Sequence, residues 1–137
     1  MTTVEQSLES YLTGYAGLSA LVSNRVYPIT IPQGKPLPCV TYQRIDTPRI
    51  LAQGDSGATG TLARIRIQFN SWAATLSEAM DIAYQLRAAL NGKRGSMGTA
   101  PYNITARAIL VDNELQDYEP ETQLYRVISD FIVWIEE

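Results

Sequence analysis

Three short stretches carry the side chains most able to do chemistry. Asp112, Glu114, Asp117, Glu119 and Glu121 form an alternating run of carboxylates, the donor type that a hard divalent cation takes. A calcium loop also needs a glycine at its sharp turn; none is present and Pro120 intrudes, so the run reads as a solvated acidic connection. Gly54-Asp55-Ser56-Gly57 sets a hydroxyl among glycines, but without nucleophile-elbow spacing or a histidine to act as base. Lys93-Arg94-Gly95-Ser96-Met97-Gly98 is basic and glycine-rich. It lacks the spacing of a phosphate loop and follows a helical pattern instead of preceding one.

Histidine is absent and Cys39 is the single cysteine. The side chain most used for proton transfer near neutral pH, also the commonest metal ligand, is therefore missing. Enzymes without histidine exist, so composition weighs against catalysis without excluding it. The expectation is a chain that is not an enzyme, with no catalytic residue, no metal ligand and no cofactor. Cys39 lies in a strand pattern and reads as a small packed hydrophobe suited to a reducing compartment.

The elements that would position any site are clearest between Thr61 and Gly92. Ile65, Ile67 and Phe69 alternate with Arg64, Arg66 and Gln68, the period of a half-buried strand. The period then becomes helical. Thr75 and Glu78 form a capping-box pattern, Leu76, Ala79, Met80, Ala83, Leu86 and Leu90 give an apolar stripe, and Asn91-Gly92 ends it. Upstream, Thr2 or Thr3 caps a first helix with Val4, Leu8, Tyr11, Leu12 and Tyr15 on its apolar face. Four prolines between 28 and 38 break regular structure, and 38–45 reads as a strand. Residues 102–111 and 124–135 read as two more strands, with 112–123 as the connection.

The chain has 137 residues, 45% hydrophobic and 18% charged, which suits one domain, 1–137, with one core. Mobile loops are expected at about 47–60, 93–100 and 112–122. No segment offers the roughly 18 apolar residues of a membrane span, and Met1-Thr2-Thr3-Val4-Glu5 shows no pattern of a secretory signal. Charge is segregated. Residues 61–107 carry six basic and two acidic side chains, net +4, and residues 108–137 one basic and eight acidic, net −7. Two readings stand: a chance of solvated loops, or a basic surface of one subunit meeting an acidic surface of its neighbour.

The last strand is apolar on both faces. Ile128, Ile132 and Trp134 point away from Val127, Phe131, Val133 and Ile135. A sheet with helices on one side normally shows a polar opposite face. Either the first helix covers Ile128, Ile132 and Trp134, or another subunit does. The reading preferred is subunit contact, with Arg64 and Arg66 on the same face.

Several segments together resemble the tail-completion and tail-terminator (head–tail joining) proteins of long-tailed bacteriophages. Leu18-Ser19-Ala20-Leu21-Val22-Ser23-Asn24-Arg25-Val26-Tyr27-Pro28 is similar to the family's opening helix and turn. Leu37-Pro38-Cys39-Val40-Thr41-Tyr42-Gln43 resembles its first long strand. Ile65-Arg66-Ile67-Gln68-Phe69-Asn70-Ser71-Trp72 followed by Leu76-Ser77-Glu78-Ala79 is similar to its strand-to-helix junction, and Phe131-Ile132-Val133-Trp134-Ile135 to its closing strand.

The resemblance implies an α+β fold, an antiparallel four-stranded or slightly larger sheet with two main helices on one face. It implies a homo-oligomeric, hexameric ring that ends the tail tube and joins it to the head connector, within a virion assembled in the bacterial cytoplasm. Its partners would be other copies of itself, the tail tube protein and connector proteins, with weak, non-specific contact to DNA passing through the lumen and no membrane. Arg49, Gln53, Asp55, Lys93 and Arg94 would then be docking or lumen residues. A head-side neck adaptor is the alternative structural reading. A small-molecule enzyme is the reading from another class.

Overall fold

The computed structural model describes residues 3–34, 36–51 and 61–136, with side chains for all of these except 49–51, 61, 62 and 136. The elements in order are α1 (Val4–Thr13), α2 (Ala16–Val22), β1 (Val26–Pro28), β2 (Cys39–Asp46), β3 (Arg49–Leu51), β4 (Thr61–Ala73), α3 (Leu76–Leu90), β5 (Gly95–Met97), β6 (Ile104–Ala106), β7 (Ala108–Glu119) and β8 (Leu124–Glu136).

Both long helices start where a hydroxyl satisfies an orphan amide. Thr3 Oγ1 accepts from Gln6 N at 3.2 Å while Gln6 Oε1 accepts from Thr3 N at 2.9 Å, a reciprocal cap. At α3, Thr75 Oγ1 accepts from Glu78 N at 3.3 Å. The exit from α3 differs from the expectation in one detail. Asn91 is extended, at φ −64° and ψ 122°, and the left-handed residue is Gly92 at φ +81°. Asn91 instead turns its amide oxygen to Val111 N, 3.0 Å away.

The main sheet runs β1-β2-β4-β8-β7, with the short β3 alongside β4, and a separate two-stranded sheet joins β5 to β6. The sheet, expected to be antiparallel with four or slightly more strands, is thus a mixed one. Val26–Pro28 pairs with Val40–Tyr42 in parallel, whereas β4 pairs antiparallel with β8 from Leu62↔Glu136 to Ala73↔Tyr125. Residues 112–119, expected as an acidic connection, continue β7 against β8 through a bulge between Val111 and Asn113. The turn that follows closes with Gln123 N donating to Glu119 O at 2.8 Å.

The three helices cover one sheet face. Ile65, Ile67 and Phe69 of β4 and Phe131, Val133 and Ile135 of β8 pack against Leu8, Leu12, Leu18, Leu86 and Leu90 in one core. Phe69 and Phe131 meet edge-on, centroids 5.6 Å apart. Each such side chain contributes about 1.5–3 kcal/mol by leaving water.

Helix α1 is also clamped to β2 by charge. Tyr42 Oη donates to Glu9 Oε2 at 2.5 Å, and Arg44 Nε donates to Glu5 Oε1 at 2.7 Å. Four residues along a helix advance about 6.0 Å and two along a strand about 6.6 Å, so the two pairs sit in register. Burial, then the Glu9 carboxylate, pushes the Tyr42 phenol well above its ordinary value.

Candidate functional site

Opposite the helices lies an open sheet face. Pairing along the strands puts Arg64 beside Trp134, Arg66 beside Ile132 and Asn70 beside Ile128. All five residues expected to form a contact surface, Ile128, Ile132, Trp134, Arg64 and Arg66, therefore share this face. Helix α1 does not cover it, since α1 packs on the other side.

The face is closed in part by its own side chains. Arg66 lies between β2 and β8, and its Nη1 is 2.7 Å from Asp112 Oδ2 and 3.5 Å from Asp130 Oδ2. Ile132, directly beside it, is only 5% exposed. The expected exposed patch is therefore smaller: Ile128 and Trp134 are half-buried. The Arg64 guanidinium stands 5.9 Å from the Trp134 ring centroid, a cation–π arrangement. The hydrogen bond to Asp112 holds the Arg66 guanidinium above its ordinary pKa.

Farther along, sequence reasoning missed a second aromatic–cation unit. Trp72 Nε1 donates to Thr41 Oγ1 at 3.0 Å, and the Arg126 guanidinium lies 5.1 Å from the Trp72 centroid. Arg126 also binds the Asp117 carboxylate, which that bond lowers in pKa. The alternation of β4 placed Trp72 on this face, but Arg126 needed the register of β8 to be paired with it.

The segregated charges recombine within the chain. Arg66 binds Asp112 and Asp130 and Arg87 binds Glu114 at 3.1 Å across the two blocks, while Arg126 binds Asp117 within the acidic one. The blocks separated in sequence are neighbouring strands and a helix in space, so part of their charge is paired within the subunit.

Of the expected docking residues, Lys93 and Arg94 have described side chains. Lys93 lies with its ammonium 4.8 Å from the Tyr11 centroid, and Arg94 is exposed just before β5. The stretch 95–97, expected within a loop, is a strand tied to α1: Ser7 Oγ donates to Met97 O at 2.6 Å and Thr99 N donates to Ser10 Oγ at 2.9 Å. Arg49 lies in β3, its side chain undescribed, and Gln53 and Asp55 lie outside the described residues.

An open groove of about 590 Å³ lies between α3 and β7, lined by Met80, Tyr84, Arg87, Glu114 and Leu115 among others. Among the described residues no group of three or more His, Cys, Asp or Glu is placed to hold a metal ion, and no helix is long and apolar enough to cross a membrane.

A mixed sheet with helices on one face, and a second face carrying aromatic–cation pairs, defines a small α+β module built around surfaces. The chain belongs to the tail completion protein gp17 family, whose model matches residues 6–136. It is accordingly a structural tail protein of the bacteriophage type. A chain of the structure described as "Virion of native gene transfer agent (GTA) particle" shares the fold, with a TM-score of 0.66 over 96% of this chain and 94% of that one, at 19% identity. No curated protein matches the sequence.

Proposed function

We propose that this protein forms a ring, hexameric in the finished particle, that terminates the phage tail tube and joins it to the head connector. The observation that carries this reading is the family match across residues 6–136. The likeness of fold to a chain of a gene transfer agent virion supports a place in the neck or tail of a virion. Its partners are then other copies of the chain, the tail tube protein and the connector, with only weak contact to passing DNA. Its work is structural and involves no catalysis.

The half-buried Ile128 and Trp134, with Arg64 and Arg66 around them, are the contact residues of the open face. Aromatic and arginine side chains are the types that anchor protein interfaces. Incubation with purified tail tubes and with tail-less heads, followed by electron microscopy, tests the reading. Density on the tube end supports it. Binding to tail-less heads alone makes the protein a neck adaptor instead. Trp134→Asp is expected to remain folded and to lose assembly; complete unfolding would make Trp134 a core residue.

A further inference from the structure

We propose that the exit of α3 is an edge guard, an autoinhibitory contact in which Asn91 and Gly92, with Asp117, occupy outward hydrogen-bonding groups of β7 and bar a strand of another copy from extending the sheet. The inference stands apart from the ring reading, since it concerns only the pairing of sheet edges.

β7 is the last strand in the order β1-β2-β4-β8-β7 and, at 12 residues, a long edge. Such an edge is a template for another chain, because every second residue sends its N–H and C=O groups away from the neighbouring strand. At Ile109 and Val111 these groups are taken. Gly92 N donates to Ile109 O at 2.7 Å, and Val111 N donates to Asn91 Oδ1 at 3.0 Å. The backbone is shaped for this. Asn91 is extended and Gly92 is left-handed at φ +81°, a conformation that glycine adopts without strain.

The bulge between Val111 and Asn113 then shifts the alternation by one residue. Past it the outward positions are Glu114, Gln116 and Tyr118. The Tyr118 N–H is turned from β8 to the Asp117 carboxylate, 2.8 Å away, and Arg126 of β8 holds that carboxylate in place. Glu114 and Gln116 receive no backbone bond from outside the ladder among the described residues. Two open positions fall short of the roughly 5–6 residues of a usual strand, and the carboxylates of Asp112, Glu114 and Asp117 flank them. The opposite end of the strand order is closed by other means. There β1 has three residues and ends in Pro28, which has no N–H. One end is thus unfit for strand addition by its length, the other by its cap.

Two double variants test the guard. Asn91→Ala with Asp117→Ala removes both acceptors. Asn91→Asp with Asp117→Asn keeps an oxygen acceptor at both positions. Both side chains are exposed, so both proteins are expected to give cooperative melts by circular dichroism. At high micromolar concentration below the melting transition, the alanine pair should develop the infrared amide band of intermolecular strands, and its thioflavin T signal should rise about tenfold above the wild type. The acceptor-keeping pair should stay at the wild-type level. No growth from the alanine pair, or equal growth from both pairs, would overturn the guard. So would growth that comes only with loss of the melting transition, since the unfolded chain would then be its source. Hydrogen exchange of the wild type, read by NMR, tests the guard without variants. The Val111 and Tyr118 amides should exchange about tenfold more slowly than those of Glu114 and Gln116, and equal rates would overturn it too. None of these outcomes bears on the ring reading, which the incubation with tail tubes tests separately.

Discussion

Arg66 of β4 reaches across the intervening strand β8 to Asp112, the bulge residue of β7, at 2.7 Å. On the way its guanidinium comes within 3.5 Å of Asp130, and the residue between Arg66 and β7 in the pairing is Ile132. Long arginine stems cover apolar surface while the head stays polar. Arg66 thus explains why Ile132 is buried without a helix above it. Arg66→Ala should lower stability by about 1–2 kcal/mol, more than a simple exposed ion pair. Arg66→Met, which keeps the stem and loses the charge, should recover part of that. Urea denaturation distinguishes them; equal losses would mean that the stem covers nothing.

The same pair shows how far the sequence could be read. The change of period from two to 3.6 at Asn70–Leu76 revealed β4 and α3, because one face of each is buried continuously in the core. Alternation separated the two faces of β4 and of β8, and the pairing of the strands puts Arg64, Arg66, Ile128, Ile132 and Trp134 on one face. The second half of β7 gave no such signal. It is a sheet edge with exposed residues on both sides, so nothing makes its hydrophobicity alternate. At β1, Pro28 marks residues 25–28 as extended, but three residues are too few to show alternation and so to mark a strand. The closure of the open face depends on which strand lies beside which, and on a bulge, neither of which composition encodes.

Gly98 offers a stability test at the β5–β6 hairpin. It has φ +95°, and a Cβ there would fall 2.3 Å from Tyr102 O and 3.1 Å from Ser7 O. Both neighbours are backbone, which cannot swing aside. Gly95 shares φ +95° but has open space around it. Gly95→Ala should therefore cost about 1 kcal/mol from backbone strain alone, and Gly98→Ala clearly more, about 2–4 kcal/mol. Thermal melts of the two variants give the comparison.

Asp117 gives a prediction in pH. Its hydrogen bond to Arg126, and a second from Tyr118 N at 2.8 Å, lower its pKa in the folded chain. A group lowered on folding stabilises the fold above its unfolded value, and that help is lost as pH falls through the folded value. The Asp117 carboxyl signal in NMR should titrate below the ordinary aspartate range. Arg126→Gln should move it back up; an unchanged titration would mean that the ion pair does not form in solution.

Cys39 should be chemically silent. It is fully buried, and burial pushes its thiol up to about 11, so little reactive thiolate exists at neutral pH. A thiol reagent should modify the folded protein only as fast as the structure opens, and added urea should speed the reaction in step with unfolding. Rapid modification in native buffer would contradict this burial.

The clamp between α1 and β2 yields the last prediction. Tyr42 is nearly buried and its hydroxyl donates to a charged acceptor, Glu9. Hydrogen bonds to charged groups contribute about 1.5–3 kcal/mol, and deleting one partner leaves the other unsatisfied. Tyr42→Phe and Glu9→Ala should each destabilise the fold, and the double variant should cost less than their sum by about 1–2 kcal/mol. Glu5 and Arg44 form the neighbouring pair in the same register, so a cycle between Glu9 and Arg44 should show much weaker coupling. If both cycles give the same value, the clamp acts as one diffuse charge cluster instead of two matched pairs.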